Sequence, residues 1–512
     1  MDNAVFAHLP LPKAILRLAV PTMAGNLVTI LYNLADTFFV GQTGDEFQVA
    51  AVTLTSPVFM ALTALGILFG IGGGSFISRQ LGERKPENAC KASALCFWGS
   101  LGLGVLFLGA GLLLLPQLVT LLGASAETYA FTLDYLRIIL LGSPAILLSN
   151  TLGQLIRAEG AAKHTMLGMM LGTVVNIALD PLFIFTLRMG VAGAALATVL
   201  SNLLSVAYYV RYFLRKSACL SVSPRLLSPD GYICKSILLI GVPAFINNIL
   251  ITVAQILLNN HAAAYGDDVV AALGIVSRTT SLPVLLLIGL AQGVQPLIAY
   301  NYAAGNRKRL TGTMKLTALS GTALALLLAV LLYALAGPVV SAFLDKAEVV
   351  RLGVRFLRVN VCSVPFLASL FLLMNVFQGM GKALPSLILS ICRQGVIFLP
   401  LLLLGDIYYG LNGIVWAQPA ADILSTFIAA LMFLLLYRNR LMQRAEIRAV
   451  DHAIWGKFRA VLLEDIFRVS FAVQMLVDQV CILAAENEFQ LITHQRVLIT
   501  YFCLETVLRQ LF

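Results

Sequence analysis

The sequence predicts an all-α integral membrane protein with twelve transmembrane helices arranged as two pseudo-symmetric six-helix lobes. Three observations predict it. The 512 residues are 59% hydrophobic and 12% charged, with a mean hydropathy of +0.89, which separates the chain from soluble proteins before any motif is considered. Apolar runs of about 20 residues or more, enough to cross a hydrocarbon core of about 30 Å, recur as far as residue 437 without the period-2 alternation of a barrel. The second half of the chain also repeats the first.

The apolar runs place helices at about 14–40, 49–80, 90–115, 128–157, 164–187, 191–215, 237–265, 270–302, 312–340, 350–379, 383–405 and 409–437. The first run has no small-residue cleavage site after it and reads as a retained helix. Leu18-Ala19-Val20-Pro21 returns as Ile240-Gly241-Val242-Pro243, and Leu81-Gly82-Glu83-Arg84-Lys85 as Ala304-Gly305-Asn306-Arg307-Lys308. Tyr135-Leu136-Arg137-Ile138 with Pro144 returns as Phe356-Leu357-Arg358-Val359 with Pro365, and Gly190-Val191-Ala192-Gly193 as Gly410-Leu411-Asn412-Gly413. The offset stays at about 220 residues. Six helices per repeat is an even number, so the halves share one orientation in the membrane, as in transporters with a central site between lobes. The expected units are residues 1–220, 221–440 and a tail at 441–512, with a Pro- and Ser-containing linker at 216–236.

Loop charge sets the expected topology. Arg84, Lys85, Lys91, Arg157, Lys163, Arg211, Arg215, Lys216, Arg225, Arg307, Lys308, Arg309, Lys382, Arg438 and Arg440 fall on one side, which the positive-inside rule makes cytoplasmic. Asp45, Glu46, Glu127, Asp267, Asp268 and Asp406 fall on the other. Both termini are then cytoplasmic and the protein is multi-pass in the cytoplasmic (inner) membrane, expected as a monomer. The tail carries 7 Lys plus Arg against 8 Asp plus Glu, so the net charge of +10 belongs to the helical region and marks topology rather than nucleic-acid binding. Ile447, Val450, Ile454, Phe458 and Val461 share a helical face and predict amphipathic cytoplasmic helices in the tail.

Eight cysteines without C-x-x-C spacing and five dispersed histidines point to neither a disulfide framework nor a zinc or haem site. Gly70, Gly72, Gly73 and Gly74 lack the Gly-Lys-Ser/Thr of a phosphate loop and predict close helix packing. No cofactor is expected.

The intramembrane acids carry the functional signal. In Asn176-Ile177-Ala178-Leu179-Asp180-Pro181-Leu182-Phe183-Ile184-Phe185 a carboxylate interrupts an apolar helix; charged Asp at a bilayer centre costs roughly 2.5–3.5 kcal/mol on insertion scales, so it faces a cavity or partner. Asn176 and Asp180 are one turn apart, and Pro181, lacking an N–H, leaves the Ile177 carbonyl without its helical donor. Asp36 of Tyr32-Asn33-Leu34-Ala35-Asp36 lies roughly 8 Å below the outer end of its helix, Asp180 near 11 Å, and Ala194 and Thr198 at about the same depth. An oxygen-rich set of this kind suits a hard cation or a proton, because two acids held together repel and one of them favours a proton. A helix cap or interhelical hydrogen bond is the plain alternative. Tyr32, Gln154, Asn202, Asn248, Gln255, Gln292 and Asn375 are candidate contacts for a substrate cavity.

Over about residues 10–440 the chain resembles the multidrug and toxic compound extrusion (MATE) family, most closely its MepA-like and DinF-like branches. The resemblance rests on the twelve-helix duplication, the Y-N-x-x-D-x-x-F-x-G pattern at Tyr32, the N-x-x-x-D-P-L-F-I-F pattern at Asn176 and the A-x-x-x-T pattern at Ala194. It implies a MATE-type fold, a proton- or sodium-coupled antiporter exporting amphipathic, often cationic drugs, and an N-lobe cation site of Asp36, Asn176, Asp180, Thr198 and the Ala194 backbone. No metal is implied beyond sodium there. Another branch has acidic residues in helices 7 and 10; here 237–265 and 356–379 hold no Asp or Glu, and Ile251 stands near the place of the helix 7 glutamate. The tail lies outside the family core. A lipid-linked oligosaccharide flippase of similar two-lobe design would need an Arg- and Lys-ringed cavity, and an intramembrane enzyme a nucleophile with its base or a metal set; neither pattern stands out.

Overall fold

In the computed structural model, which describes residues 4–217, 219–227, 230–344 and 346–441, the chain folds entirely into helices and their connections. The tail beyond residue 441, with its expected amphipathic helices, lies outside the described residues. The first repeat forms α1 (Leu11–Gly41), α2 (Glu46–Gly82), α3 (Pro86–Leu113), α4 (Tyr129–Leu141 and Ser143–Ala158), α5 (Ala162–Pro181) and α6 (Val191–Arg215). The second forms α7 (Gly231–Ala263), α8 (Asp267–Ala303), α9 (Arg307–Ala334), α10 (Ala347–Val361 and Val364–Gly379), α11 (Ala383–Ile391, resuming as Phe398–Tyr409) and α12 (Leu411–Leu441). Ten of these are single spans by length and hydropathy, and α4 and α10 are spans bent by 51° and 45°. Their breaks fall just before Pro144 and Pro365, the repeat-related prolines, because a proline removes a hydrogen bond and crowds the preceding turn.

The connections explain where helices begin and end. Asp45 and Asp230 cap α2 and α7 by accepting from the N–H of Phe47 and Tyr232 at 3.0 and 2.9 Å, satisfying donors that a helix start leaves free. Gly190 and Gly410 precede α6 and α12 with φ near +55°, a backbone region that glycine enters without steric cost.

Two departures from regular α-geometry were not legible in the hydropathy. After Pro181, α5 widens into a π-helical turn, Leu182–Thr186, and α11 does the same at Cys392–Ile397. A π-turn shifts the hydrogen-bond register and turns side chains toward new neighbours, which is why such turns recur at functional sites.

The lobes are joined toward their basic loops. The largest buried cluster mixes Phe76, Ile77, Leu81 and Leu155 of the first repeat with Ile237, Leu297, Ile298 and Met380 of the second. Toward the acidic loops the buried clusters belong to one repeat each: Val40, Leu62, Ile139, Ile184 and Ala195 in the first, and Phe398, Leu402, Ile414 and Ala421 in the second. At the junction a Cβ on Gly72 would collide with the Ile237 carbonyl and one on Gly241 with the Leu68 carbonyl. The expectation of close packing at the glycine run is met there, with α2 backbone lying directly against α7.

Candidate functional site

The first repeat concentrates polar groups where its core would otherwise be apolar. Asn176 and Asp180 are completely buried on one face of α5, and the Asn176 side-chain amide donates to Asp180 Oδ1 at 3.4 Å. Across from them the Tyr32 hydroxyl of α1 and Thr198 Oγ1 of α6 share a hydrogen bond of 3.1 Å. Asp36, one turn after Tyr32, lies within electrostatic reach of Tyr32, Asp180 and Tyr135. Ala194, one turn before Thr198, is fully buried beside Val40, Tyr135 and Ile184. Three side-chain oxygens here, Asp36 Oδ1, Asn176 Oδ1 and Asp180 Oδ2, are buried without a protein donor. Buried carboxylate oxygens are costly unless something donates to them or neutralises them. The donor set is all oxygen and partly anionic, which fits sodium or a proton and does not fit a soft metal.

Tyr135 is the member that sequence reasoning missed. It comes from α4, is 7% exposed, and lies within electrostatic reach of both acids. A signal was present: its repeat counterpart is Phe356, so the hydroxyl is something the first repeat has and the fold alone does not need.

The candidate cavity residues do not gather in one place. Tyr32 joins the acidic site, and Asn202 supports it, donating to the Thr198 carbonyl at 2.8 Å while accepting from Ser149 at 2.6 Å. Asn248 and Asn375 donate to carbonyls one turn back, those of Ala244 and Phe371, at 2.9 Å each. Gln255 is exposed and donates to Asn259 at 3.1 Å. Gln154 and Gln292, from different lobes, both accept from Arg157 Nη1 at 3.1 Å.

The second lobe also contains a buried carboxylate, placed on α12 and not on α7 or α10. Asp422 is 3% exposed and accepts from Arg393 Nε at 2.8 Å and from Gln418 at 3.0 Å. Arg393 is 7% exposed and lies in the π-turn of α11.

The MatE family model matches this chain twice, over residues 21–182 and 243–404. The chain belongs to the MatE family. The two matches coincide with the two repeats, and the polar site falls within and just beyond the first. The MatE relatives include the multidrug export protein MepA of Staphylococcus aureus (strain MSSA476), 33% identical over 436 residues that cover 85% of this chain and 96% of that protein. The MepA protein of Staphylococcus saprophyticus is 34% identical over the same shares. An outward-facing structure of a multidrug resistance MATE family transporter of the MOP superfamily matches with a TM-score of 0.80 at 29% identity, covering 84% of this chain and 97% of that one. A MatE protein is a multi-pass secondary transporter and not an enzyme.

Proposed function

We propose that this MatE protein is a cation-coupled antiporter that exports amphipathic, often cationic drugs, with Asp36, Asn176, Asp180, Thr198 and the Ala194 backbone holding the coupling proton or sodium. The observation that carries the reading is the set of three buried side-chain oxygens without donors on α1 and α5. A cation bound among them neutralises two acids, draws α1 toward α5, and on leaving lets them separate. Pro181 and the π-turn after it make α5 easy to bend beside the site, so occupancy can be converted into helix movement. The MepA relatives are named as multidrug export proteins, which supports amphipathic drugs as the cargo.

The protein acts as a monomer in the cytoplasmic membrane with both termini in the cytoplasm, a placement supported by the basic loops around Lys85 and Lys308. Cysteine probes at Asp45 or Asp267 should react from outside and probes at Lys85 or Lys308 only after permeabilisation; the reverse pattern would invert the topology. The function is tested in proteoliposomes by imposing a pH or a sodium gradient separately and following efflux of cationic dyes. Dye movement with neither gradient, or movement unaffected by both, would refute coupling.

A further inference from the structure

We propose that Arg157 forms a halide-binding site at the junction of the two lobes, separate from the acidic site of the first lobe. Arg157 lies at the end of α4 and is 5% exposed. Its two hydrogen bonds both leave from Nη1, to Gln154 and Gln292, and both acceptors are neutral amide oxygens. Its Nε is buried with no acceptor. None of the ion pairs among the described residues includes Arg157.

A guanidinium withdrawn from water and left without an anion is costly, and the fold does not demand one here. The residue at the same repeat position in the second lobe is Gln378, which packs at the same junction without a charge and accepts the Ser75 hydroxyl at its carbonyl at 2.5 Å. Arg393 shows the usual alternative, a buried arginine with Asp422 supplied by the chain.

Beside Arg157 is a cavity lined by Ser75, Ser78, Gln154 and Gln295 and walled by Gly70 and Gly74. About 10 Å³ inside it is open to the centre of a water-sized sphere, so it admits one small ion or water and not a polyatomic anion. The glycines keep this space clear: a Cβ on Gly70 would come within 2.9 Å of Gln154 Cγ. The Ser75 and Ser78 hydroxyls already donate to the Gln378 and Ala158 carbonyls, so the free donor edge and the positive charge both come from the guanidinium. Room for one monatomic anion beside an uncompensated cation selects chloride or bromide over phosphate, sulfate or a carboxylate. Because Gln292 and Gln295 belong to the second repeat, the site is complete only while the lobes are joined at this end, and an anion bound there stabilises that state.

The test uses the full chain in nanodiscs, with gluconate replacing chloride at constant sodium and ionic strength. Radioactive chloride should bind saturably at about one ion per chain and be displaced by bromide but not by sulfate, and the unfolding temperature should rise with chloride over the same range. Arg157→Gln, which installs the residue found at the matching position, should weaken chloride binding at least about tenfold and remove the chloride dependence of unfolding. Absence of saturable binding, or equal binding by the variant, would mean that the cavity holds water only and would overturn the proposal. Should the variant fail to fold, crystals of the unmodified protein grown with bromide decide the matter: anomalous density beside the guanidinium supports the site, and its absence there refutes it.

Discussion

In the first lobe Asp180 and Asp36 lie within electrostatic reach of each other with hydroxyls and an amide nearby and no cationic partner among the described residues, whereas in the second Asp422 is clasped by Arg393 at 2.8 Å. The acids themselves do not pair by position, but the polar layers do. At the offset that pairs Gly190 with Gly410, Thr198 faces Gln418 and Asn202 faces Asp422, so both lobes build a polar layer from their last helix. The second lobe carries its counter-cation on the chain, and its charge is settled once at folding. The first has no such partner among the described residues, and there the proposed coupling cation would come from solution and return to it. Each lobe carries a polar layer, and the placement of the acids and of one arginine separates a structural pair from the proposed exchangeable site.

The comparison breaks most visibly at the first-lobe acids. Asp180→Asn and Asp36→Asn, nearly isosteric but unable to ionise, should insert at normal levels and lose gradient-driven efflux by at least about tenfold. Wild-type efflux rates in both variants, measured under a defined gradient in proteoliposomes, would remove the first lobe from the coupling scheme.

A different kind of loss is expected in the second lobe. Arg393→Gln or Asp422→Asn alone leaves one buried charge unpaired and should lower stability by about 3 kcal/mol, seen as reduced yield and unfolding temperature, while efflux per folded molecule persists. The double substitution should recover much of the stability. If Asp422→Asn instead abolished coupling in a stable protein, the two lobes would not differ as described.

Smaller effects should sharpen the contrast. Asn176→Ala removes the amide that contacts Asp180 at 3.4 Å and should weaken efflux by about threefold to tenfold, mostly by raising the cation concentration needed for half-maximal rate. Tyr135→Phe gives the first repeat the residue already present at 356; it should fold as well as the parent and slow efflux by about twofold to threefold. An unchanged cation dependence in Tyr135→Phe would place the hydroxyl outside the site.

The division between what the chain declares and what packing decides follows from the range of the forces involved. Span length, orientation bias and the duplication are properties of contiguous segments, because a bilayer tests each helix for hydropathy and flanking charge; α6, expected at 191–215, runs from Val191 to Arg215. The pairing of Asn176 with Asp180 was equally local, one helical turn on one face. Contacts between helices were not, since they depend on how each helix is rotated about its axis, and a residue displaced by one position points about 100° away. Tyr135 comes within electrostatic range of Asp36 and Asp180 through the packing of α4 against its neighbours, and Arg393 reaches Asp422 through a π-turn that no hydropathy pattern announces. Arg157 looked in the sequence like another basic residue at a loop; the meeting of α4 with α8 buries it between two glutamines, because the lobes close over the end of the helix that carries it.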